Sequence, residues 1–126
     1  MIEMDAETYQ ILAHGFATYG GNAMYPALGL AEEAGEVCGK VAKFIRKNAG
    51  TPPPTDLEIA EAGGTQATAD KDFRDALEKE LGDVCWMVAE LATLYGLSLS
   101  GIMFGNIQKL RDRQKRGVIV GEGDNR

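Results

Sequence analysis

The feature that most constrains the fold is an internal repeat of acidic, helix-forming sequence. Residues 33–45 align with residues 80–92 when the chain is shifted by 47 positions, and six of the thirteen positions are identical. The repeat keeps two acids and the glycine between them, as Glu33-Ala-Gly-Glu36 and Glu80-Leu-Gly-Asp83. Two amphipathic helices can share apolar positions by chance, but chance does not explain matched acids around the same glycine. Because two copies are too few for a repeat array, we expect a pseudo-two-fold pair of helices.

Each repeat helix also carries an apolar stripe beside its acids. At about 100° per residue, one face of each helix collects the apolar positions, which are Leu30, Ala34, Val37, Val41, Phe44 and Ile45 in the first copy and Leu77, Leu81, Val84, Val88, Leu91 and Ala92 in the second. The first acid of each pair then lies at the edge of the stripe, and the second lies one turn along on the outer side. If the two helices pack antiparallel, all four acids converge.

Converging carboxylates predict a metal site. Each close pair of these charges costs on the order of 4 kcal/mol at a surface-like dielectric, so the cluster requires cations. Ligands that offer only oxygen select hard ions, which favours Mg²⁺ or Mn²⁺. The predicted ligands are Glu33, Glu36, Glu80 and Asp83. A solvated acidic face is the alternative, and a single Glu-x-x-Glu would favour it.

Two other metal sites do not fit the sequence. A ferritin-like di-iron site needs two Glu-x-x-His motifs, whereas the one histidine of this chain, His14, lies in a different predicted helix. A zinc site built from His14, Cys38 and Cys85 lacks a fourth ligand and suitable spacing. We therefore interpret the two cysteines as small buried thiols.

Composition limits the class of protein. The 126 residues suit a single domain, and 44% apolar with 25% charged residues is ordinary for a globular chain. A net charge of −6 argues against a nucleic-acid duplex as partner, and no apolar run is long enough to cross a membrane. The acidic first residues do not resemble a signal peptide, and the two cysteines then suggest reduced thiols and a cytoplasmic location.

Strand signals are weak, and the apolar periodicity predicts four helices. They run over about 5–19, 26–48, 70–95 and 98–116, with Asp5 and Ser98 or Ser100 as candidate N-caps. We therefore expect an all-α bundle of four main helices with the repeat helices at its centre. Residues 49–69 contain three prolines and a Gly-Gly pair, which predicts a long loop that serves as a lid or intersubunit arm rather than as a fold element. Residues 121–126 form a predicted flexible tail.

A cationic face precedes this tail. Asn106, Lys109, Arg113 and Arg116 follow i, i+3, i+7, i+10 spacing, which places them on one side of a helix. An amide and three cations in one row suit a triphosphate and a leaving pyrophosphate. Charges that favour the helix dipole are the alternative, and they explain Arg116 better than Asn106 or Lys109.

Two segments together resemble a known family. Leu28-Gly-Leu-Ala-Glu32-Glu33-Ala-Gly-Glu36-Val37 followed by Lys79-Glu80-Leu-Gly-Asp83-Val84 resembles the EExxE…ExxD signature of MazG-like, all-α nucleoside triphosphate pyrophosphohydrolases. The segment from Asn106 to Gly117 and the Gly-Asp-Asn-Arg ending are similar to small phage and bacterial members. One departure is the spacing of 43 residues between Glu36 and Glu80, which exceeds the usual spacing.

The resemblance implies a four-helix MazG-like bundle that hydrolyses a (d)NTP to a (d)NMP and pyrophosphate. Matched by position, Glu33, Glu36, Glu80 and Asp83 would hold Mg²⁺, with Mn²⁺ substituting. Glu32 and Glu33 are the catalytic candidates, although Glu32 points away from the apolar stripe and could be a water-orienting residue or simply solvated. The family also implies a homodimer or homotetramer. A phosphoribosyl-ATP pyrophosphohydrolase and a non-catalytic helical oligomerisation or regulatory module stay open as alternatives.

Base recognition has the weakest sequence signal. Trp86 follows the acids of the third helix and could stack on a base or belong to the core. Gln10 and His14 are polar candidates for pairing with base edges, and each could instead be solvated. A large stacking platform with a donor and an acceptor favours a purine deoxynucleotide, dGTP before dATP, with a pyrimidine triphosphate as the alternative.

Overall fold

The computed structural model describes residues 3–64, 71–121 and 123. Regular structure in these residues is entirely helical, which confirms the all-α fold class. The described residues form five helices where four were expected: α1 (Ala6–His14), α2 (Met24–Lys47), α3 (Asp56–Glu61), α4 (Lys71–Leu94) and α5 (Leu99–Lys115). None of these helices is by itself long and apolar enough to cross a membrane. Helices α4 and α5, taken together as one bent pair, have the length and composition for a membrane span, and nothing else indicates one.

The chain divides into two compact units. One, here called the terminal unit, comprises Met1–Gly21 and Ala89–Arg126, and the other, the central unit, comprises Asn22–Val88. The terminal unit holds α1, α5 and the last six residues of α4. The central unit holds α2, α3 and the remainder of α4, and it contains both acidic motifs.

The predicted helix caps are present. Asp5 caps α1 by accepting a hydrogen bond from the Thr8 backbone N–H at 2.7 Å, and Ser98 caps α5 by accepting one from the Gly101 N–H at 3.1 Å. The first of these bonds lowers the pKa of Asp5 because it stabilises the charged carboxylate. Helix α1 ends at His14, earlier than the predicted Tyr19, because the chain turns at Gly15 rather than at the later Gly20-Gly21 pair.

The prediction that residues 49–69 form only a loop is wrong for residues 56–61. Thr55 and Glu58 form a capping box in which the Glu58 carboxylate accepts from the Thr55 N–H at 2.7 Å. Asp56 forms an ion pair with Arg74 of α4. A Thr-x-x-Glu pattern is a sequence signal for a helix start, and the adjacent prolines obscured it. Residues 65–69 of the insert, and residues 122 and 124–126 of the predicted flexible tail, lie outside the described residues.

Contacts between α2 and α4 show that the two helices of the central unit run antiparallel. Near the start of α2, Gly29 faces Met87, and near its end Phe44 meets Phe73 edge-to-face with ring centroids 5.2 Å apart. Later residues of α2 therefore face earlier residues of α4, which is the antiparallel arrangement expected for the repeat helices. The pseudo-two-fold symmetry of the pair stays a prediction.

The apolar stripes are only partly covered. Most of their residues are half-buried, but the matched repeat positions Ala34 and Leu81 are exposed, with Leu81 47% exposed. The prediction of buried thiols is wrong, because Cys38 and Cys85 are both exposed. Each cysteine follows a stripe valine by one residue, and a rotation of about 100° carries it off the stripe.

In the terminal unit, α1 packs against α5. The Gln10 amide fixes this arrangement from both of its ends. Its Nε2 donates to the Thr93 hydroxyl at 3.1 Å and to the Leu97 carbonyl at 2.9 Å, while its Oε1 accepts from the Leu99 N–H at 2.7 Å. Gln10 therefore holds α1 to the turn that joins α4 to α5.

The contact of Gly29 with Met87 gives a stability prediction. A Cβ at position 29 would lie 2.5 Å from Met87 Sδ, and Met87 is 3% exposed and has little room to move. We expect Gly29→Ala to lower the free energy of unfolding by about 1–3 kcal/mol, although alanine favours a helix over glycine by roughly 1 kcal/mol. Urea denaturation measures the change.

Gly39→Ala is the matched control, because no atom lies within 4 Å of a Cβ at this α2 position. It should leave stability unchanged or raise it by up to about 1 kcal/mol. A Gly29→Ala protein as stable as Gly39→Ala would contradict the close approach of the two helices.

Candidate active site

Three of the four predicted metal ligands come together in the central unit. Glu33 of α2 meets Glu80 and Asp83 of α4, and one carboxylate oxygen from each lies within 4.8 Å of the others. Glu80 and Asp83 share a helix face because they are three residues apart, and the antiparallel course of α2 brings Glu33 to that face. Glu33 and Glu80 are half-buried, whereas Asp83 is exposed.

Glu36 lies one turn from Glu33 and is exposed, and it is outside this three-residue cluster. Its charge nevertheless acts on Glu33. Its assignment as the fourth ligand stays a prediction.

Burial and the neighbouring acids both act on Glu33. Desolvation raises the pKa of Glu33, and the neighbouring charges of Asp83, Glu32, Glu80 and Glu36 raise it further. A cation bound here would favour the charged form of Glu33 and so lower its pKa again.

One lysine partly balances the cluster. The Nζ atom of Lys40, which lies two turns after Glu33 on α2, is 3.4 Å from Oε1 of Glu80. One positive charge beside this group of acids leaves the cluster strongly negative.

The donor set fits a hard divalent cation. All three groups are carboxylates, the ligands that Mg²⁺, Mn²⁺ and Ca²⁺ share. Oxygens bound octahedrally at roughly 2.0–2.1 Å from Mg²⁺ lie about 3–4 Å from one another. An upper separation of 4.8 Å is close to this range, so small side-chain rotations would suffice to enclose an ion.

Two further predicted residues belong to the central unit. Glu32 is exposed on α2, next to the cluster residue Glu33, and its charge contributes to the raised pKa there. Trp86 is half-buried on α4, three residues beyond Asp83. Both stay predictions, Glu32 as a catalytic residue and Trp86 as a base platform.

The predicted phosphate-binding residues extend from the middle of α5 to its C-cap, in the terminal unit, with differing surroundings. Asn106 and Lys109 are exposed, as a binding face requires. Arg113 is only 5% exposed, and Nε of Arg116 donates to the Asp112 carboxylate at 2.8 Å. Regular spacing along the helix therefore does not give these four residues one common environment, and their role in phosphate binding stays a prediction.

The predicted base-binding residues Gln10 and His14 line one pocket of about 370 Å³ in the terminal unit, together with Ile11, Thr93 and Leu97. Both ends of the Gln10 amide are already hydrogen-bonded within the protein, which favours a structural role for it. His14 differs, because its side chain is 48% exposed.

Sequence reasoning missed Glu90, a fully buried carboxylate in the terminal unit. It is 0% exposed, its Oε2 lies 3.1 Å from His14 Nδ1, and it accepts a hydrogen bond from the Tyr19 hydroxyl. A buried carboxylate needs such partners. The sequence does contain a signal for this buried acid. Glu90 is the one charged residue in the apolar stretch 84–97, and a helix that is apolar on all sides is buried on all sides.

Comparison with known proteins gives matches that cover most of the chain. The profile of the MazG nucleotide pyrophosphohydrolase domain matches residues 26–118, which include all five acids of the two motifs. The chain is also 37% identical to the Gene 37 protein of Mycobacterium phage L5 over 131 aligned positions, covering 98% of this chain and 100% of that protein. No solved structure gives a significant match.

The raised pKa of Glu33 predicts how stability depends on pH without metal. The folded protein keeps the Glu33 proton to a higher pH than the unfolded chain does, because the pKa of this side chain in the unfolded chain is near 4.5. Stability therefore falls as pH rises through the window above 4.5. Glu33→Gln removes this loss, so we expect it to raise Tm at neutral pH in the presence of a chelator, with the gain disappearing as pH falls toward 4.5.

Thermal unfolding across this pH range measures the effect. Glu78→Gln, which changes an exposed acid of α4 outside the cluster, should show no such pH-dependent gain. A lower Tm for Glu33→Gln at neutral pH would contradict the electrostatic account.

Proposed function

Because the chain belongs to the MazG family of nucleotide pyrophosphohydrolases, which are divalent-metal-dependent hydrolases, we propose that it converts a deoxynucleoside triphosphate and water into the monophosphate and pyrophosphate. The observation that carries this proposal is the cluster of Glu33, Glu80 and Asp83, with oxygens within 4.8 Å. It joins the two halves of the family signature, which are far apart in sequence.

We propose Mg²⁺ as the cofactor, held by the cluster with Glu36 as the fourth ligand and with Mn²⁺ as a substitute. A bound divalent ion supplies Lewis-acid polarisation of a phosphate and lowers the pKa of a coordinated water. The protein's own contribution is a rigid set of acids placed by two helices. Phosphoryl-transfer chemistry depends chiefly on such positioning and on charge stabilisation.

The remaining roles follow from position and charge. Glu32 is exposed beside the ligand Glu33, which suits a carboxylate that orients a water molecule. Asn106 and Lys109 are exposed on α5 and suit contacts to phosphate oxygens. Arg113 and Arg116 contribute positive charge to the same helix.

For the base we propose a purine, dGTP before dATP. His14 presents Nδ1 to the buried Glu90, which leaves Nε2 for a ligand in the pocket that His14 lines. Trp86 supplies an aromatic surface on α4. Pairing with polar edges discriminates guanine from adenine more sharply than stacking does.

A product analysis tests the reaction. Purified protein is incubated with dGTP, dATP, dCTP, dUTP or phosphoribosyl-ATP and with Mg²⁺ or Mn²⁺, and the products are separated. We expect monophosphate and pyrophosphate, with the highest kcat/KM for dGTP. Release of inorganic phosphate and a diphosphate would refute attack at the α-phosphate, and a tenfold preference for a pyrimidine would refute the base assignment alone.

Acid variants serve as internal controls in the same assay. Glu33→Gln, Glu80→Gln and Asp83→Asn should each lower kcat by at least about 100-fold, the scale on which an electrostatic contact to the reacting group is lost. Glu32→Gln should cost less unless Glu32 is the base. Glu78→Gln, at an exposed acid of α4 outside the cluster, should retain activity, and an active Glu80→Gln protein would overturn the ligand assignment.

We also propose a homodimer or homotetramer. Ala34 and Leu81, which occupy matched stripe positions next to the acids, are exposed, and so are Ile102, Phe104 and Ile107 of α5. Large apolar side chains exposed in such numbers are typical of a surface that a further subunit covers. Light scattering at micromolar concentration should give at least twice the 13.5 kDa chain mass, and a fully active monomer would contradict this proposal.

A further inference from the structure

A lysine-rimmed pocket, distinct from the acidic cluster, lies between the end of α2 and the start of α4. Its volume is about 370 Å³, within the range of small-ligand sites. Lys40, Lys43 and Lys47 of α2 line it together with Asn48, and Phe44 and Phe73 are its aromatic residues. All of these residues belong to the central unit.

The sequence produces this pocket through helical spacing. Lys40, Lys43 and Lys47 follow i, i+3, i+7 spacing and therefore share one face of α2. Phe44 lies next to that face and meets Phe73 of α4 at an interplanar angle of 63°. The aromatic contact holds the helices together while the lysines remain along the opening.

The pocket concentrates positive charge in a chain whose net charge is −6. Lys40 is partly engaged by Glu80, at 3.4 Å. Within the described part of the chain, Lys43 and Lys47 have no carboxylate within ion-pair distance. Asp72 is the one acid among the lining residues, so a multiply charged anion fits here better than a neutral molecule.

The pocket and the acidic cluster are joined along α4. Ala76, which lines the pocket, precedes the cluster residue Glu80 by four residues, or about 6 Å at a rise of roughly 1.5 Å per residue. This separation is close to the length of two linked phosphates. Lys40 stands between the two sites because it lines the pocket and contacts Glu80.

The aromatic residues do not favour a nucleobase as the occupant. In the edge-to-face pair, one face of one ring is covered by the edge of the other, which leaves less surface for stacking. The Asn48 amide Nδ2 donates to the Phe44 carbonyl at 2.8 Å, so one of its two N–H groups is already used within the protein. Lysine, in contrast, is a frequent partner of phosphate groups.

We propose that this pocket binds the pyrophosphate part of the substrate, that is, its β- and γ-phosphates, and then the pyrophosphate product. Lys43 and Lys47 contact the phosphate oxygens, and Lys40 bridges this subsite to the metal-binding acids. The assignment to a substrate group rests on the proposed function. Binding of inorganic pyrophosphate to the pocket does not, and it can be measured separately.

The test uses the full chain, with inorganic pyrophosphate and Mg²⁺ as the probe in calorimetric titration. The double variant Lys43→Gln/Lys47→Gln should weaken pyrophosphate binding about tenfold or more, because two charge-assisted contacts are lost. Lys79→Gln, an exposed lysine of α4 that does not line the pocket, is the control and should change the Kd less than twofold. Asp72→Asn, which removes the one acid of the lining, should tighten binding severalfold.

Kinetics give a second readout. The double variant should raise the KM for the triphosphate and the inhibition constant of pyrophosphate together, with a smaller change in kcat. An unchanged Kd for pyrophosphate in the double variant, or weakened binding of a deoxynucleoside monophosphate in place of pyrophosphate, would overturn the proposal.

The two proposals fail separately. If the wild-type chain hydrolyses no triphosphate but its pyrophosphate binding depends on Lys43 and Lys47, the proposed function is refuted and the anion site stands. If hydrolysis yields pyrophosphate and the double variant keeps the wild-type KM and Kd, the proposed function stands and the subsite is refuted.

Discussion

The antiparallel contact between α2 and α4 determines where every acid of the site lies. A shift of one residue would turn an acid by about 100° around its helix, so the register has to be fixed by packing. At one end it is fixed by the close approach of Gly29 to Met87, and toward the other end by the Phe44–Phe73 contact. Between these two points, Glu33 meets Glu80 and Asp83. The repeat thus has a physical meaning, because two copies of one acidic motif on antiparallel helices bring three of their four acids to one place.

This arrangement is unfavourable without a cation. The raised pKa of Glu33 has desolvation as its largest cause and repulsion from four neighbouring carboxylates as the remainder, and both effects oppose the charged form that binds a metal. Lys40 offsets the repulsion only at Glu80. A site of this kind gives up some stability for function, a relation that is common at functional sites. A divalent cation held by the cluster would neutralise the acids, and in the proposed phosphate subsite the lysines of α2 would neutralise the anion.

The features of the fold that depend on local sequence pattern could be predicted from the sequence. The extents of α2, α4 and α5 and the caps at Asp5 and Ser98 follow from local pattern. The convergence of Glu33, Glu80 and Asp83 follows from spacing only once the two helices pack antiparallel. Some errors arose because a local signal was overlooked. Helix α3 was missed because prolines lie beside its capping box, and Cys38 and Cys85 are exposed because each lies one residue off the apolar stripe. Glu90 could not be placed from periodicity because its helix is buried on more than one side there.

Helix α4 carries acids in two different environments. Residues of α4 up to Val88 belong to the central unit, with Glu80 and Asp83 in the acidic cluster, whereas Ala89 and the residues after it belong to the terminal unit. In the terminal unit the buried Glu90 carboxylate holds His14 and Tyr19, two side chains contributed by α1 and the segment after it. The carboxylate thereby orients the imidazole and fixes which of its nitrogens faces the protein, as acidic partners of functional histidines do. Acids of one type therefore act in opposite ways along α4, because the clustered ones need an external cation whereas the solitary buried one is satisfied by the protein itself.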